Sequence, residues 1–493
     1  DDRLAAARAG LERAPADERK AALRSLRALG PWLGMNLVFV VGVLVVSRFM
    51  SRRTAGRSKF AAIVLGWLLS TVGEDGTPEA VEAMVTATVA WLLAVGLAAV
   101  PFAGIADVSF IDAYFEAMSG MTTTGMSIFT SLDLPRSVLF WRSFMQWVGG
   151  LGILTFFVAV LVESGGVARQ LAATEANTMS GGNIRASLFN AIKSLWYVYI
   201  VLTAVLMVLL YHFDFPAFHA VTHALATMPT GGFSTVPDLA ALMNPGARAT
   251  LTLFMFLGGT NFLLIYSVLQ GNVRRMLGDF EFRLYLGITT LAFLVIAADL
   301  VLAQGISPIG AASTAGFHAS SVISSAGFGL KPLGAFPDLS RFVFLLMMFV
   351  GGSLGSTTGG FKMMRLGIML KLAVQQVKSV GIPRTVVNPV TVGGRIVRDE
   401  EILQVAAILL MWLGAIALGG AVTVWLSPYS ITESVQLMTS AVGTMGPTFI
   451  PQAELTSLHP LVKISLMVGM LAGRLEMLPL LGILNIRLVQ KFA

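Results

Sequence analysis

An all-helical, polytopic membrane protein is the fold class this chain predicts, and three observations carry it. Hydrophobic residues make up 55% of the 493 and charged residues only 12%, against about 25% charged in a soluble domain; mean hydropathy is +0.78. Apolar stretches of the length a helix needs to cross a bilayer follow one another along most of the sequence. Between four pairs of these stretches lies a short segment that ends in small residues and a glycine. The first is Glu116-Ala-Met-Ser-Gly-Met-Thr-Thr-Thr-Gly-Met-Ser127 and the second His223-Ala-Leu-Ala-Thr-Met-Pro-Thr-Gly-Gly-Phe-Ser234. The third is Ser321-Val-Ile-Ser-Ser-Ala-Gly-Phe-Gly329 and the fourth Ser440-Ala-Val-Gly-Thr-Met-Gly-Pro-Thr448. Non-helical backbone at membrane depth is tolerated only inside protein or along water. Four such turns around one axis would put a ring of backbone carbonyls in place of an ion's hydration shell. That points to a cation pore.

Residues 1–30 are charged and alanine-rich, with Leu4, Leu11, Leu23 and Leu26 at helical spacing, and read as a surface helix or a disordered tail. The chain opens on Asp1 rather than Met, which leaves open whether residues precede it, and no cleavable signal peptide is visible. Spans are expected at 31–50, 59–73, 79–101, 137–163, 190–211, 246–270, 284–304, 339–370, 401–426 and 460–487. The N-terminal pair is awkward. Counting 59–73 as a span puts the basic linker Ser51-Arg-Arg-Thr-Ala-Gly-Arg-Ser58 outside; counting it as interfacial puts the N-terminus outside. Ten spans is the reading adopted.

The repeating unit is span, short helix, glycine turn, span. Its period of roughly 100 residues is too long for a solenoid and suits a membrane protein built from internal repeats. The short helices are expected at Phe110–Met121, Pro216–Met228, Ile309–Ser324 and Ile431–Val442, all too short to cross. Pro216 suits the first helical position, where a missing N–H costs nothing. A helix whose C-terminal end faces a pore offers that end's partial negative charge to a cation. Interfacial helices under outer loops would explain any one copy, but not four.

Cysteine is absent, which excludes disulfides, thiolate metal sites and cysteine nucleophiles. The net charge of +7 does not mark a nucleic-acid binder. Its basic residues, such as Arg169, Arg185, Arg274, Arg275, Lys371, Lys378 and Arg384, sit in short linkers between spans, as cytoplasmic loops do under the positive-inside rule. His212, His219, His223, His318 and His459 form no HExxH or comparable metal pattern. His219 and His223 share a helical i, i+4 spacing, but no Glu follows His219 and no third ligand is evident. Satisfied interfacial or core histidine is the better reading. No Ser/His/Asp set is placed to act, so an enzyme is not expected.

These residues resemble the Trk/Ktr superfamily of potassium transporters, specifically its bacterial Trk-type membrane subunit. The likeness covers about residues 79–487. It rests on Thr122-Thr-Thr-Gly125, Trp141-Arg-Ser-Phe-Met-Gln-Trp-Val-Gly-Gly-Leu-Gly-Ile153, Thr230-Gly-Gly-Phe-Ser234, Ser325-Ala-Gly-Phe-Gly329, Gly351-Gly-Ser-Leu-Gly-Ser-Thr-Thr-Gly-Gly360 and Gly473-Arg-Leu-Glu476. The resemblance implies four membrane–pore–membrane repeats around a pseudo-fourfold axis, with an added N-terminal helix pair. On that frame 1–30 is the surface helix or tail and 31–78 the helix pair. Residues 79–163, 164–270, 271–376 and 377–493 are pore repeats one to four, the third with a broken second helix. The resemblance further implies multi-pass potassium uptake at the plasma membrane (the bacterial inner membrane), as a homodimer with one pore per subunit. It also implies a cytosolic ring of nucleotide-binding regulatory subunits. No cofactor is expected in this chain, potassium being the substrate. Gly355 and Gly360 have the spacing of a phosphate loop, but Phe361 stands where Lys should be and no strand precedes it.

The filter is expected to be made by backbone. Gly125, Gly232, Gly327 and Gly446 are the equivalent glycines, free of a Cβ that would clash as carbonyls turn to the axis. Thr123 and Thr124, Thr230 and Gly231, Ser325 and Ala326, and Thr444 and Met445 would supply the other carbonyls. The alternative for any one copy is a helix C-cap. Because the four turns differ, a sodium-permeable or weakly selective monovalent cation transporter of the same fold stays open; a polytopic membrane enzyme or structural component is the reading from another class.

Gly351, Gly352, Gly355, Gly359 and Gly360 interrupt the span from 339, each costing a helix roughly 0.8–1 kcal/mol against Ala. With Ser353, Ser356, Thr357 and Thr358 they read as an intramembrane loop, which the family resemblance makes the gate; small-residue helix packing is the alternative. Arg474 is expected inside the last span, where a charge costs at least about 2.5–3.5 kcal/mol and so faces the bundle interior or water. It reads as a barrier or a partner of the loop, or else as a structural pair with Glu476. Lys362 has a similar reading, or is an anchor that snorkels to the interface.

Overall fold

A computed structural model of the chain describes residues 80–106, 108–129, 133–163, 184–379 and 389–477. The expectations for 1–30, for the helix pair in 31–78 and for the end of the last span, 478–487, lie outside those residues. All of the described residues belong to one unit, Ala61–Ala493.

The principal helices are α1 (Ala80–Ile105), α2 (Phe110–Met121), α3 (Arg136–Glu163), α4 (Ile184–His212), α5 (Ala217–Thr227), α6 (Pro245–Gly258) and α7 (Phe262–Leu269). They continue as α8 (Phe280–Gln304), α9 (Pro308–Ile323), α10 (Asp338–Val350), α11 (Met363–Ser379), α12 (Asp399–Leu426), α13 (Ile431–Val442) and α14 (Pro460–Arg474). Among the described residues four single helices are long and apolar enough to span a bilayer, within α1, α4, α8 and α12, and α6 with α7 makes a bent fifth. Large apolar side chains stand on their outer faces, Leu302, Leu418 and Trp425 among the most exposed, while serines and threonines are buried within. That inversion of the soluble pattern is what lipid as solvent requires. The chain is a mostly helical, multi-pass membrane protein.

The short helices start where their caps dictate. Ser109 Oγ accepts from Asp112 N ahead of α2, and Ser307 Oγ from Gly310 N ahead of α9. Ser430 and Glu433 form a reciprocal capping box ahead of α13. Pro216 is the N-cap of α5 and not its first helical residue; Pro308 of α9 occupies that place instead. Each short helix packs against the long helix before it. The long helix that follows then packs against the next short one: α3 on α5, α6 on α9, α10 on α13, and α14 back on α2. The order closes on itself.

Three elements depart from expectation. The span 246–270 is not one helix: α6 and α7 meet at 112° across Gly259–Asn261. Asn261 caps α7 through its side chain, and residues of the 351–360 loop take up the backbone groups that the break frees. Arg474 is not inside a helix but ends one: α14 stops there, and Glu476 and Met477 have positive φ. Finally, Thr391–Val392 and Arg395–Ile396 form a small antiparallel hairpin in the 377–400 stretch. Its Gly393–Gly394 turn has positive φ at both positions, as the right-handed twist of a two-residue hairpin demands.

Candidate functional site

At the C-terminal ends of α2, α5, α9 and α13 the backbone does the same thing four times. A hydroxyl residue takes positive φ (Thr123 54°, Thr230 59°, Ser325 58°, Thr444 48°), and two residues on a glycine does so too (Gly125 82°, Gly232 78°, Gly327 75°, Gly446 91°). The closing hydrogen bonds match as well. Thr123, Thr230, Ser325 and Thr444 donate to the carbonyl three residues back, and Thr124, Gly231, Ala326 and Met445 to the carbonyl five back. A left-handed non-glycine costs about 1–2 kcal/mol. Such strain persists only where the surroundings impose it, and it clusters at functional sites. A helix C-cap needs one left-handed residue, not two at alternate positions.

The four turns meet. A Cβ on Gly125 would strike the Gly231 carbonyl, one on Gly232 the Ala326 carbonyl, one on Gly327 the Met445 carbonyl, and one on Gly446 the Thr124 carbonyl. Each glycine thus faces the peptide before the next glycine, and the series closes into a ring. All four hydroxyl residues of the turns are buried, and the side chains of Thr123, Ser325 and Thr444 have no hydrogen-bond partner among the described residues.

Side chains that the sequence reading did not single out hold these turns from behind. Glu116 of α2 and Arg142 of α3 form a buried ion pair, Nε to Oε1 2.7 Å. Glu116 Oε2 accepts from Ile128 N at 3.1 Å. Arg142 donates to Ser127 Oγ at 2.8 Å and to Ser234 O at 3.1 Å, and lies over the Phe233 ring. The first two turns are therefore tied through one guanidinium. Gln146 brackets the second turn, donating to Gly231 O at 2.6 Å and accepting from Phe233 N at 3.2 Å. Gln436 brackets the fourth two residues further out, at Pro447 O and Phe449 N. Two ionisable residues within apolar stretches were a usable signal for Glu116 and Arg142; Gln146 left none, because its partners are distant in sequence, whereas those of Gln436 lie 11 and 13 residues on.

The loop between α10 and α11 is buried throughout. Its neck is zipped by Phe361 N to Phe349 O, Lys362 N to Val350 O and Met363 N to Gly352 O. Positive φ at Gly351, Gly355 and Gly360 turns the backbone back on itself, and Gly360 lies against Gly351. Its tip abuts two of the turns. Thr357 Oγ1 donates to Met228 O at 3.0 Å, and Gly359 lies against Gly443 O and the Thr444 hydroxyl. Ser356 Oγ bridges Ser353 O and the Thr358 hydroxyl. The break between α6 and α7 grips one arm, through Ser353 N to Gly259 O and Phe262 N to Gly355 O. Arg474 donates to Thr357 O at 2.6 Å and to Gly149 O at 3.1 Å. It does not pair with Glu476, whose carboxylate is taken by Arg365. Lys362 does not snorkel: it is buried, with its ammonium on Thr358.

The histidines have ordinary partners: His219 Nδ1 meets the Thr235 hydroxyl, His223 Nε2 the Ser234 hydroxyl, His318 Nε2 the Leu330 N–H and His459 Nδ1 the Leu461 N–H. No group of three metal-binding side chains occurs among the described residues.

A family model described as TrkH, cation transport protein, matches residues 57–492. The chain belongs to the TrkH family of cation transport proteins. The family consists of transporters, not enzymes. The Trk system potassium uptake protein TrkH of Salmonella typhimurium is 28% identical over 478 residues, covering 92% of this chain and 97% of that protein. An uncharacterized cation transporter of Methanocaldococcus jannaschii, MJ1485, is 30% identical over 431 residues, 85% of each chain. The crystal structure of the potassium transporter TrkH from Vibrio parahaemolyticus superposes with a TM-score of 0.81, at 24% identity, over 91% of this chain and 95% of that one.

Proposed function

We propose that this TrkH-family chain conducts potassium into the cell across the plasma membrane, the bacterial inner membrane, through a filter made by its four glycine turns. The closed contact series Gly125, Gly232, Gly327, Gly446 carries the reading. Repeated positive φ brings the carbonyls of successive turns beside one another, the arrangement that replaces a hydration shell. The filter residues are Thr123, Thr124 and Gly125; Thr230, Gly231 and Gly232; Ser325, Ala326 and Gly327; and Thr444, Met445 and Gly446. The four quarters are repeats 79–163, 164–270, 271–376 and 377–493. Relatives named as potassium uptake proteins support the choice of ion.

The 351–360 loop, with Lys362 and Arg474, is the gate in this reading, supported by its abutment on the second and fourth turns. The chain works as a homodimer under a cytosolic nucleotide-binding partner, with the basic linkers and the hairpin region offering the contact surface. Growth rescue of a potassium-uptake-deficient bacterium at low potassium, together with rubidium flux into liposomes, tests the proposal. Correctly inserted protein that gives neither rescue nor flux would overturn it. Equal sodium and rubidium flux would instead favour the weakly selective alternative, for which the inequality of Thr124, Gly231, Ala326 and Met445 is the motive.

A further inference from the structure

Glu281 lies one residue into α8, is buried, and plays no part in the turns or in the Arg474 contact. One of its carboxylate oxygens, Oε1, accepts from Leu354 N at 2.7 Å and from Met364 N at 3.1 Å. Leu354 lies on the entering arm of the 351–360 loop, and Met364 at the start of α11, just past its exit. A carboxyl oxygen has two lone pairs and so can accept both amides at once, and a buried amide left without its acceptor is costly. Within the loop, the segment between these two amides contains Gly355 and Gly360, both at positive φ, and the residues that touch the second and fourth turns, Thr357 and Gly359. Everything that meets the turns therefore lies inside the stapled interval, and the staple itself is made to a different helix from the one that carries Arg474.

We propose that Glu281 is a positioning residue of the gate: it staples both ends of the loop to α8, so that opening moves only the arc Ser356–Gly360. This rests on the reading of the loop as the gate. Two attachments then have different duties. Arg474 holds the tip and must let go; Glu281 holds the base and does not. A loop anchored at its base returns to one closed position, whereas without Glu281 the base is held only by the backbone bonds of the neck and of the α6–α7 break.

The absence of cysteine from the chain makes the test direct. Single cysteines replace Leu354, Met364 or Thr358 in the full-length protein in liposomes, and the rate of modification by a small thiol reagent is measured in three backgrounds: unchanged, Arg474→Ala and Glu281→Ala. Glu281→Gln, which keeps an acceptor oxygen, is a fourth background that guards against misfolding. The expectation is that Leu354→Cys and Met364→Cys stay slow in the unchanged and Arg474→Ala proteins. They should react about tenfold faster or more once the two hydrogen bonds are lost in Glu281→Ala, with Glu281→Gln between. Equal rates with and without Glu281, or base cysteines that speed up in Arg474→Ala alone, would overturn the staple. Rubidium flux is read in the same samples. Thr358→Cys modification and flux that both ignore Arg474→Ala would count against the loop as gate, while the base cysteines still decide the role of Glu281.

Discussion

Arg142 and Glu116 face each other at 2.7 Å with side chains 2% and 0% exposed, and the same guanidinium reaches the Ser234 carbonyl of the neighbouring turn. An ion pair withdrawn this far from solvent adds little net stability, but removing one partner leaves an uncompensated charge and costs about 3–5 kcal/mol. Arg142→Met or Glu116→Gln alone should therefore lower the melting temperature and the rubidium-over-sodium flux ratio together. The double variant should recover much of the melting temperature and little of the ratio, because the hydrogen bonds from Arg142 to Ser127 and Ser234 stay lost. A double variant with wild-type selectivity would show that the pair only fills space.

Glycine at positive φ occurs both in the turns and elsewhere, which gives an internal control. Gly232→Ser meets the Ala326 carbonyl at φ 78°, whereas Gly305→Ala, at φ 63°, has no atom within 4 Å of its new Cβ. Both should pay the left-handed strain of about 1–2 kcal/mol. Only Gly232→Ser should lower potassium preference over sodium by more than it lowers protein abundance. Reversal potentials and membrane-fraction yields measured side by side distinguish the two effects.

The bracket formed by Gln146 needs both ends of its amide. Gln146→Glu keeps the acceptor for Phe233 N but sets an oxygen against the Gly231 carbonyl. It should impair selectivity more than Gln146→Met, which leaves Gly231 O and Phe233 N without their partner but sets no oxygen against the carbonyl. The opposite ranking in a sodium-competition flux assay would mean that Gly231 does not depend on this contact.

Arg474 spans two carbonyls, Thr357 and Gly149, with separate nitrogens of one planar group. Arg474→Ala, or deletion of several residues of 352–359, should raise flux measured without the cytosolic partner. Arg474→Lys, with one ammonium in place of the fork, should fall between Ala and wild type. If the variants insert normally and leave basal flux unchanged or abolish it, these residues are packing elements.

The short helices were legible because each is bounded by chemistry that acts locally. Phe110–Met121 and Ile431–Val442 have the limits expected of them, set by the Ser109 and Ser430 caps and by small residues at the end. The bend at Gly259–Asn261 was not legible. Residues 246–270 satisfy every criterion of a continuous span, and the backbone groups freed there are taken up by Ser353 and Gly355, about a hundred residues away. Glu281 and Gln146 escaped notice for the same reason, since their partners too are distant in sequence. The glycines were conspicuous in sequence; of the groups that hold their turns in place, Glu116 and Arg142 left a signal as charges in apolar stretches.

Gln452 reaches the Phe129 carbonyl and Thr456 the Ile128 carbonyl, joining the exits of the fourth and first turns across 323 and 328 residues of chain. The seam between the first and last quarters is thus the final one to form as the polypeptide is made. A nascent chain that has not yet delivered its fourth turn has three walls and a gap, and on the reading proposed above it has no filter. On that reading translation products cut short before the fourth turn would be electrically silent, and conductance would come only with the last quarter of the chain.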